Sequence, residues 1–365
     1  MYIYQHKQWP EFAWDQEKVL TLLSRVKLAQ GLLLGKMESL GFRLREEAVL
    51  DVMTQEILKS SEIEGKVLNL AEVRSSIARH LGMAASPSVR AGRDVEGIVE
   101  MMLDATQNYK DRLTKKRLLS WQASLFPTGY SGLFKIRTGK FRDDKRGPMQ
   151  VVSGPQGKEK VHYEAPPAER LETEMSRFLD WANALKDMDG ILKAAVAHLW
   201  FITLHPFDDG NGRIARALTD SLLARGENTS QRFYSMSTQI RKERNAYYDI
   251  LEKTQKGSLD ITRWMIWFLE CLLRAIENTN ETLAIVFNKA LFWQKFSAAA
   301  LNERQKKIIN KLLDGFEGKL TSSKWAKLCK VSQDSAARDI LDLIEKGILK
   351  QEGTGRGTHY LLKKL

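Results

Sequence analysis

Residues 205–216 read HPFDDGNGRIAR, a polar turn that leads from one apolar helical stretch, AAVAHLWFITL, into a second, IARALTDSLLARG. Gly210 and Gly212 flank Asn211 just ahead of the second helix. Glycines at such a place let the backbone turn sharply and bring its N–H groups close to an anion. The helix that follows points its positive end at the same spot, which makes a phosphate cradle. Arg213 and Arg216 add fixed charge and bidentate donors suited to phosphate oxygens. Asp209 supplies a carboxylate able to hold Mg²⁺ against those phosphates. His205 is the one side chain of the loop that can take a proton near neutral pH. Phe207, apolar in a polar loop, is expected to anchor it to a core. A lone histidine or a lone glycine pair is ordinary turn material, but together these residues supply every part of a nucleotide-transfer site.

The 365 residues are 43% hydrophobic and 28% charged, which bounds the chain to two or three globular domains with a sizeable core. A net charge of +12 favours an anionic partner, whether nucleotide, nucleic acid or acidic protein. The two cysteines, Cys271 and Cys329, are far apart and lack metal-ligand spacing, as in a reducing compartment. The N-terminal MYIYQHKQWPEF has no charged segment leading into an apolar run, and no apolar stretch reaches the ~18 residues of a membrane span. A cytoplasmic protein without a membrane partner is expected.

The pattern along the chain is mostly helical, so the expected fold class is all-α with a β-hairpin flap. Helices are expected over DQEKVLTLLSRVKLAQGLLLGKMESLG, about Arg45–Glu64, Val95–Ala105, Leu113–Leu125, Ala168–Leu185 and Ile191–Thr203. AASPSVRAGRD, residues 84–94, reads as a linker or loop. PMQVVSG and KVHYEAPP flank PQGK, a hairpin signal in a helical chain. Three domains are expected: 1–84, 85–298 and 301–365.

The stretch 205–216 resembles the Fic family signature, H-x-F-x-[D/E]-G-N-G-R-x-x-R, and matches every fixed position. The resemblance covers about Ala85 to Leu291. YIYQHKQWPEFAWD also looks like the extension of a bacterial Fic subgroup that ends in a winged helix. The resemblance implies transfer of AMP from ATP to a hydroxyl of a target protein, self-modification included. It gives His205 as the base that deprotonates the target and Asp209 as the ligand of Mg²⁺. Gly210, Asn211, Gly212 and Arg213 would form the anion hole, and Arg216 would hold the γ-phosphate. The related kinases carry a lysine where this chain has Gly212, which argues for nucleotidyl transfer; phosphocholine transfer stays open. The hairpin has two readings: a structural flap only, or, by the same resemblance, an edge that clamps the target as an added strand, with Val151, Val152 and Val161 as its apolar residues. Asn245, Tyr247 and Tyr248 in RNAYYDILEKTQ resemble a stretch near the adenine pocket, and equally suit a helix with core tyrosines.

KSSEIEGK, residues 59–66, poses a separate problem. On a helix Val49, Met53, Ile57, Ser60 and Glu64 fall within roughly 80° of one another, so an apolar stripe ends in a serine and a carboxylate. A carboxylate facing a core needs a donor or a cation. Ser60, Glu64 and Gly65 match [S/T]-x-x-x-E-[G/N], the inhibitory motif of Fic proteins that carry their own inhibitor helix. The resemblance implies an ion pair between Glu64 and Arg216, which takes the arginine from the γ-phosphate.

Residues 301–365 hold 14 Lys and Arg against 8 Asp and Glu, half of the net charge. Helix, short helix, turn, helix and a glycine-tipped ribbon read as a helix-turn-helix with a wing. Duplex DNA is one expected partner, through Gln333–Lys346 and Arg356; protein docking or a second copy of the chain is the other. Asp334, Asp339, Asp342 and Glu345 weigh against DNA, and Ala337, Ile340, Leu341 and Ile344 read as core spacing. A competing view of the whole chain is a DNA-binding regulator whose Fic-like domain senses a nucleotide.

Overall fold

A computed structural model describes residues 1–83, 89–155, 158–184, 188–313, 315–316 and 318–363. The side chains of Arg43, Arg356, 280–288 and 290 lie outside the description. So do part of the expected linker, residues 84–88, and the hairpin tip at 156–157.

The chain forms two compact units, Met1–Met37 with Arg45–Thr279, and Glu38–Leu44 with Asn280–Leu365. Helices come first: α1 (Gln16–Glu38), α2 (Phe42–Ile63), α3 (Leu70–His80), α4 (Arg93–Gln107) and α5 (Lys115–Leu125). Two antiparallel hairpins follow, β1 (Tyr130–Ser131) with β2 (Phe134–Lys135) and β3 (Gln150–Ser153) with β4 (Lys160–Glu164). Then come α6 (Leu171–Asn183), α7 (Gly190–Leu204), α8 (Asn211–Glu227), α9 (Met236–Lys242), α10 (Arg244–Gln255) and α11 (Thr262–Lys295). The last part holds α12 (Glu303–Leu313), α13 (Ser322–Cys329), α14 (Gln333–Glu345) and the ribbon β5 (Leu349–Glu352) and β6 (His359–Leu362). The fold is mostly helical, as expected.

In the larger unit α7 is apolar on nearly every side and is buried over almost its whole length, as a helix with no polar face must be. Asp189 starts it by accepting the Ile191 N–H at 2.9 Å. α8 packs directly against it: a Cβ on Gly190 would lie 2.8 Å from the Gly226 Cα, so two glycines set the crossing. α7 ends at His205 in the left-handed conformation (φ +47°), and Gly210 precedes α8 at φ +92°. Two sharp reversals thus bracket the loop 205–210 between two buried helices. At the N-terminus, Trp9 donates to Glu174 at 3.0 Å, and its ring meets Trp200 edge-on.

Three details differ from the sequence reading. α3 was not expected; Asn69 caps it, accepting from the N–H groups of Ala71 and Glu72. The second helix ends at Ile63 rather than Glu64, because Gly65 turns the chain at φ +79° and Lys66 N–H reaches back to the Ser61 carbonyl at 2.9 Å. On α14, Ala336, Ile340 and Leu343 form the buried stripe, while Leu341 is 57% exposed and Ala337 also faces solvent. That stripe packs on Ile308, Ile309, Trp325 and Leu349 within the smaller unit.

α4 and α5 also cross closely: a Cβ on Gly97 would sit 1.8 Å from the Ser124 carbonyl oxygen. Backbone cannot yield as a flexible side chain can, so Gly97→Ala should destabilise the chain by at least ~1–3 kcal/mol. Urea unfolding of the full chain measures this; an unchanged midpoint contradicts the close crossing.

Candidate active site

The loop 205–210 is shaped from inside. Asn211, 3% exposed, donates from Nδ2 to the Phe207 carbonyl at 2.8 Å and accepts the Phe207 N–H at 3.0 Å. Its amide oxygen and one of its two N–H donors are thus engaged in closing the loop. Phe207 is fully buried against Phe141 and Phe201, the anchor expected of it.

His205 Nδ1 lies 3.1 Å from the Ile202 carbonyl. A carbonyl only accepts, so Nδ1 carries the proton and Nε2 keeps a lone pair. Burial lowers the imidazole pKa below its usual 6.5; the Ile202 contact opposes this and the Arg142 charge adds to it. The shift favours the neutral ring at pH 7, the state a base needs. Arg142 was not foreseen. It is 4% exposed, donates from Nε to the His205 carbonyl at 2.8 Å, and binds Asp144 and the Pro166 carbonyl with its other nitrogens.

Around the glycines two guanidinium groups are buried. Arg213 is 6% exposed, its charge over the Phe126 ring at 4.9 Å, and its Nε has no acceptor among the described residues. Arg216 is 2% exposed; Nε donates to Ser60 Oγ, and NH2 to the Ser60 carbonyl and Glu64 Oε1, each at 2.8 Å. Its NH1 has no acceptor among the described residues. Buried charged donors without acceptors are costly, and both of these side chains belong to the first two turns of α8. Burial works against the Arg216 charge, but Glu64 together with Tyr247 and Tyr248 outweighs it, so the group is held above an arginine's usual pKa.

Glu64 meets Arg216 across Gly212. A Cβ on Gly212 would lie 2.1 Å from Glu64 Oε1 and 3.3 Å from Arg216 NH1, so a side chain there would force the carboxylate to shift. The Glu64 side chain is 32% exposed, so the stripe ends at a partly solvated carboxylate rather than a buried one. Arg244 Nε holds the last turn of α2 through the Ile63 carbonyl at 2.9 Å. Two turns earlier, Glu56 accepts from Ser235 Oγ at 2.7 Å and from the Ser237 N–H at 3.0 Å, tying α2 to the start of α9. Burial, with Glu56 nearby, pushes the Asp220 carboxyl up to about 8 although Arg232 lies 3.1 Å away. Glu56 was missed, although it shares the helical face of Ser60 and Glu64 at a spacing of four.

Asp209 accepts the Gly210 N–H at 2.5 Å and the Ser131 hydroxyl, and its side chain is 42% exposed. Among the described residues no cluster of three or more His, Cys, Asp or Glu is placed to hold a metal. A single open carboxylate beside a phosphate cradle still fits Mg²⁺, which takes one or two carboxylates together with phosphate oxygens and water. The adenine-pocket candidates separate. Tyr247 is core, its hydroxyl 2.9 Å from His198 Nε2; Tyr248 flanks the end of α2 under Arg244; Asn245 is exposed. On the flap a bulge between Val151 and Val152 leaves Val152 opposite Val161, both exposed. The bulge explains why the strand does not alternate.

Residues 112–223 match the Fic/DOC family, and residues 2–83 match a domain of unknown function, DUF4172. The protein adenylyltransferase Fic of Culex quinquefasciatus is 28% identical over 237 residues, 64% of this chain and 42% of that protein. The protein of the same name from Drosophila willistoni is 26% identical over 227 residues, 61% of this chain and 41% of that protein. The alignment thus takes in about two fifths of these relatives' length. A Fic family protein from Desulfovibrio desulfuricans shares the fold with a TM-score of 0.57 at 20% identity, covering 95% of this chain and 96% of the other. The Fic/DOC match is confined to the middle of the chain, where the loop 205–216 lies. Among the described residues no helix is long and apolar enough to cross a membrane.

Ser60→Ala should leave the buried Arg216 Nε without its acceptor and cost ~1–3 kcal/mol of stability. Urea unfolding measures the loss; a midpoint equal to that of the unchanged chain contradicts this account of the contact.

Proposed function

We propose that the chain transfers AMP from ATP to a hydroxyl of a protein, its own included, and that Glu64 holds the activity down. The target oxygen attacks the α-phosphorus, the bond to the β-phosphate bridge breaks, pyrophosphate leaves, and the proton goes to His205 Nε2. The neutral His205 with its lone pair free, fixed by Ile202 and Arg142, supports the role of base. The unpaired donors of Arg213 and Arg216 and the start of α8 support binding of the phosphates. Asp209 would hold Mg²⁺, which when bound neutralises charge on the phosphates.

The observation that carries the braking role is the 2.8 Å contact of Glu64 with Arg216. A γ-phosphate on that arginine would bring two negative groups together. Unit charges 4 Å apart repel by about 4 kcal/mol at an effective dielectric of 20, so the two cannot share the group comfortably. The nucleotide then sits with its α-phosphate off line for attack.

For residues 301–365 we propose duplex DNA binding through α14. One observation supports it. Asp339 is turned inward to Arg304 at 2.8 Å, and Asp342 accepts from Gln305 at 2.7 Å and Lys346 at 2.6 Å, so neither charge lies free on the outer face. The Arg356 side chain lies outside the described residues.

Incubation with ATP labelled on the α-phosphate tests the transfer. Glu64→Gly should raise protein labelling at least about tenfold, the equivalent of ~1.4 kcal/mol. Adding His205→Ala should cut it by ~10²–10⁴, the usual worth of a general base. Label from γ-labelled but not α-labelled ATP would contradict AMP transfer, and equal labelling by Glu64→Gly and the unchanged chain would contradict the brake.

A further inference from the structure

A groove of about 570 Å³ runs beside the catalytic loop, between β2 and the start of β3, and is lined by Phe134, Lys135, Lys145, Arg146, Gln150 and Asp208 among others. Its floor includes Arg137 and Arg142, whose charges are met by Asp143 and Asp144. The rim is different. Lys135 and Arg146 have no carboxylate partner among the described residues, and Lys145 comes only within 3.8 Å of Asp143. Arg146 NH1 donates to the Lys135 carbonyl at 3.1 Å, so the two cationic segments are held side by side.

The groove is joined to the chemistry at both of its inner walls. Asp208 accepts the Arg137 N–H at 2.8 Å, and Arg142 holds the His205 carbonyl. The β1–β2 hairpin is fastened to the loop by the Ser131 hydroxyl, which donates to Asp209. The turn of that hairpin carries Leu133, 94% exposed, and Phe134, 75% exposed. Val152 (47%) and Val161 (39%) are exposed on the flap. An exposed apolar tip tied to the loop that carries His205, beside cations without carboxylate partners among the described residues, has the character of a recognition surface.

We propose that this groove selects the target. Its occupant is a segment of a protein that carries acidic residues beside the modified hydroxyl, with an apolar residue set on Leu133 and Phe134. The proposal rests on the AMP-transfer reading. Charge complementarity chooses the acid: three rim cations stand over a floor already neutralised by its own carboxylates. A continuous phosphate backbone fits less well, because it would run past Asp208, which has no cationic partner among the described residues, whereas separate acidic side chains can be spaced to meet the rim cations alone.

The test uses the full chain bearing Glu64→Gly and two short peptides of equal length. Each holds one Ser, one Thr, one Tyr and one Leu, flanked by Glu in one peptide and by Lys in the other. With α-labelled ATP the Glu peptide should be used about tenfold better in kcat/KM, and the advantage should shrink as salt rises. Lys135→Glu with Arg146→Glu should raise KM for the Glu peptide about tenfold, leave kcat nearly unchanged, and favour the Lys peptide. An unchanged thermal midpoint shows that this variant still folds. Equal use of both peptides overturns the proposal, as does labelling of the chain itself with neither peptide labelled. Loss of random-duplex binding in the double variant, with peptide rates unchanged, also overturns it and marks a nucleic-acid surface. Absence of all α-phosphate label, self-labelling included, strikes at AMP transfer instead.

Discussion

The site depends on one buried guanidinium. Arg216 rises from the second turn of α8 into a place where it is 2% exposed, and a charge so placed requires partners. Ser60 supplies two acceptors, a hydroxyl and a carbonyl, and Glu64 supplies a third with opposite charge. All three come from the last turn of α2 and the residue beyond it. The same cation that an incoming phosphate would seek therefore also holds the end of α2. On the proposed reading Ser60 would keep Arg216 aimed whichever anion it meets, while Glu64 would compete with that anion. Structural support and restraint would then be divided between two residues four positions apart.

The rest of the site follows from two sharp backbone reversals. His205 leaves α7 in the left-handed region, and Gly210 enters α8 the same way. Between them Asn211 closes the loop on itself and Phe207 fixes it in the core. The His205 carbonyl is then held from outside by Arg142, which also grips Pro166 at the base of the flap. His205, the start of α8 and the flap are consequently tied together by hydrogen bonds, an arrangement that would suit the proposed transfer, which relies mainly on positioning and charge neutralisation.

Much of this was legible in the chain because it is local. The histidine, glycines and arginines of residues 205–216 lie within twelve positions, so loop and cradle could be read without a fold. The partnership of Glu64 with Arg216 spans the sequence and was reached only through a resemblance, although the polar end of an apolar stripe showed that some partner was needed. Arg142 and Ser131 act through contacts that only tertiary structure creates, and nothing in their neighbours announces them, whereas Glu56 lies on the helical face of Ser60 and Glu64 and could have been noticed there. α3 could have been found: Asn69 followed three residues later by Glu72 is a helix-start signal. On α14 the buried face was misjudged at Ala337 and Leu341, because alanines at 336 and 337 do not distinguish adjacent faces. In the flap, one bulge hid the alternation.

The central claim is competition between Glu64 and a γ-phosphate for Arg216. It is tested most directly by calorimetric titration of the His205→Ala chain, with and without Glu64→Gly, using ATP and ADP in turn with Mg²⁺. If Glu64 excludes the γ-phosphate, its removal tightens ATP by at least about tenfold and leaves ADP nearly unchanged. Equal changes for both nucleotides, or none for either, would contradict the account.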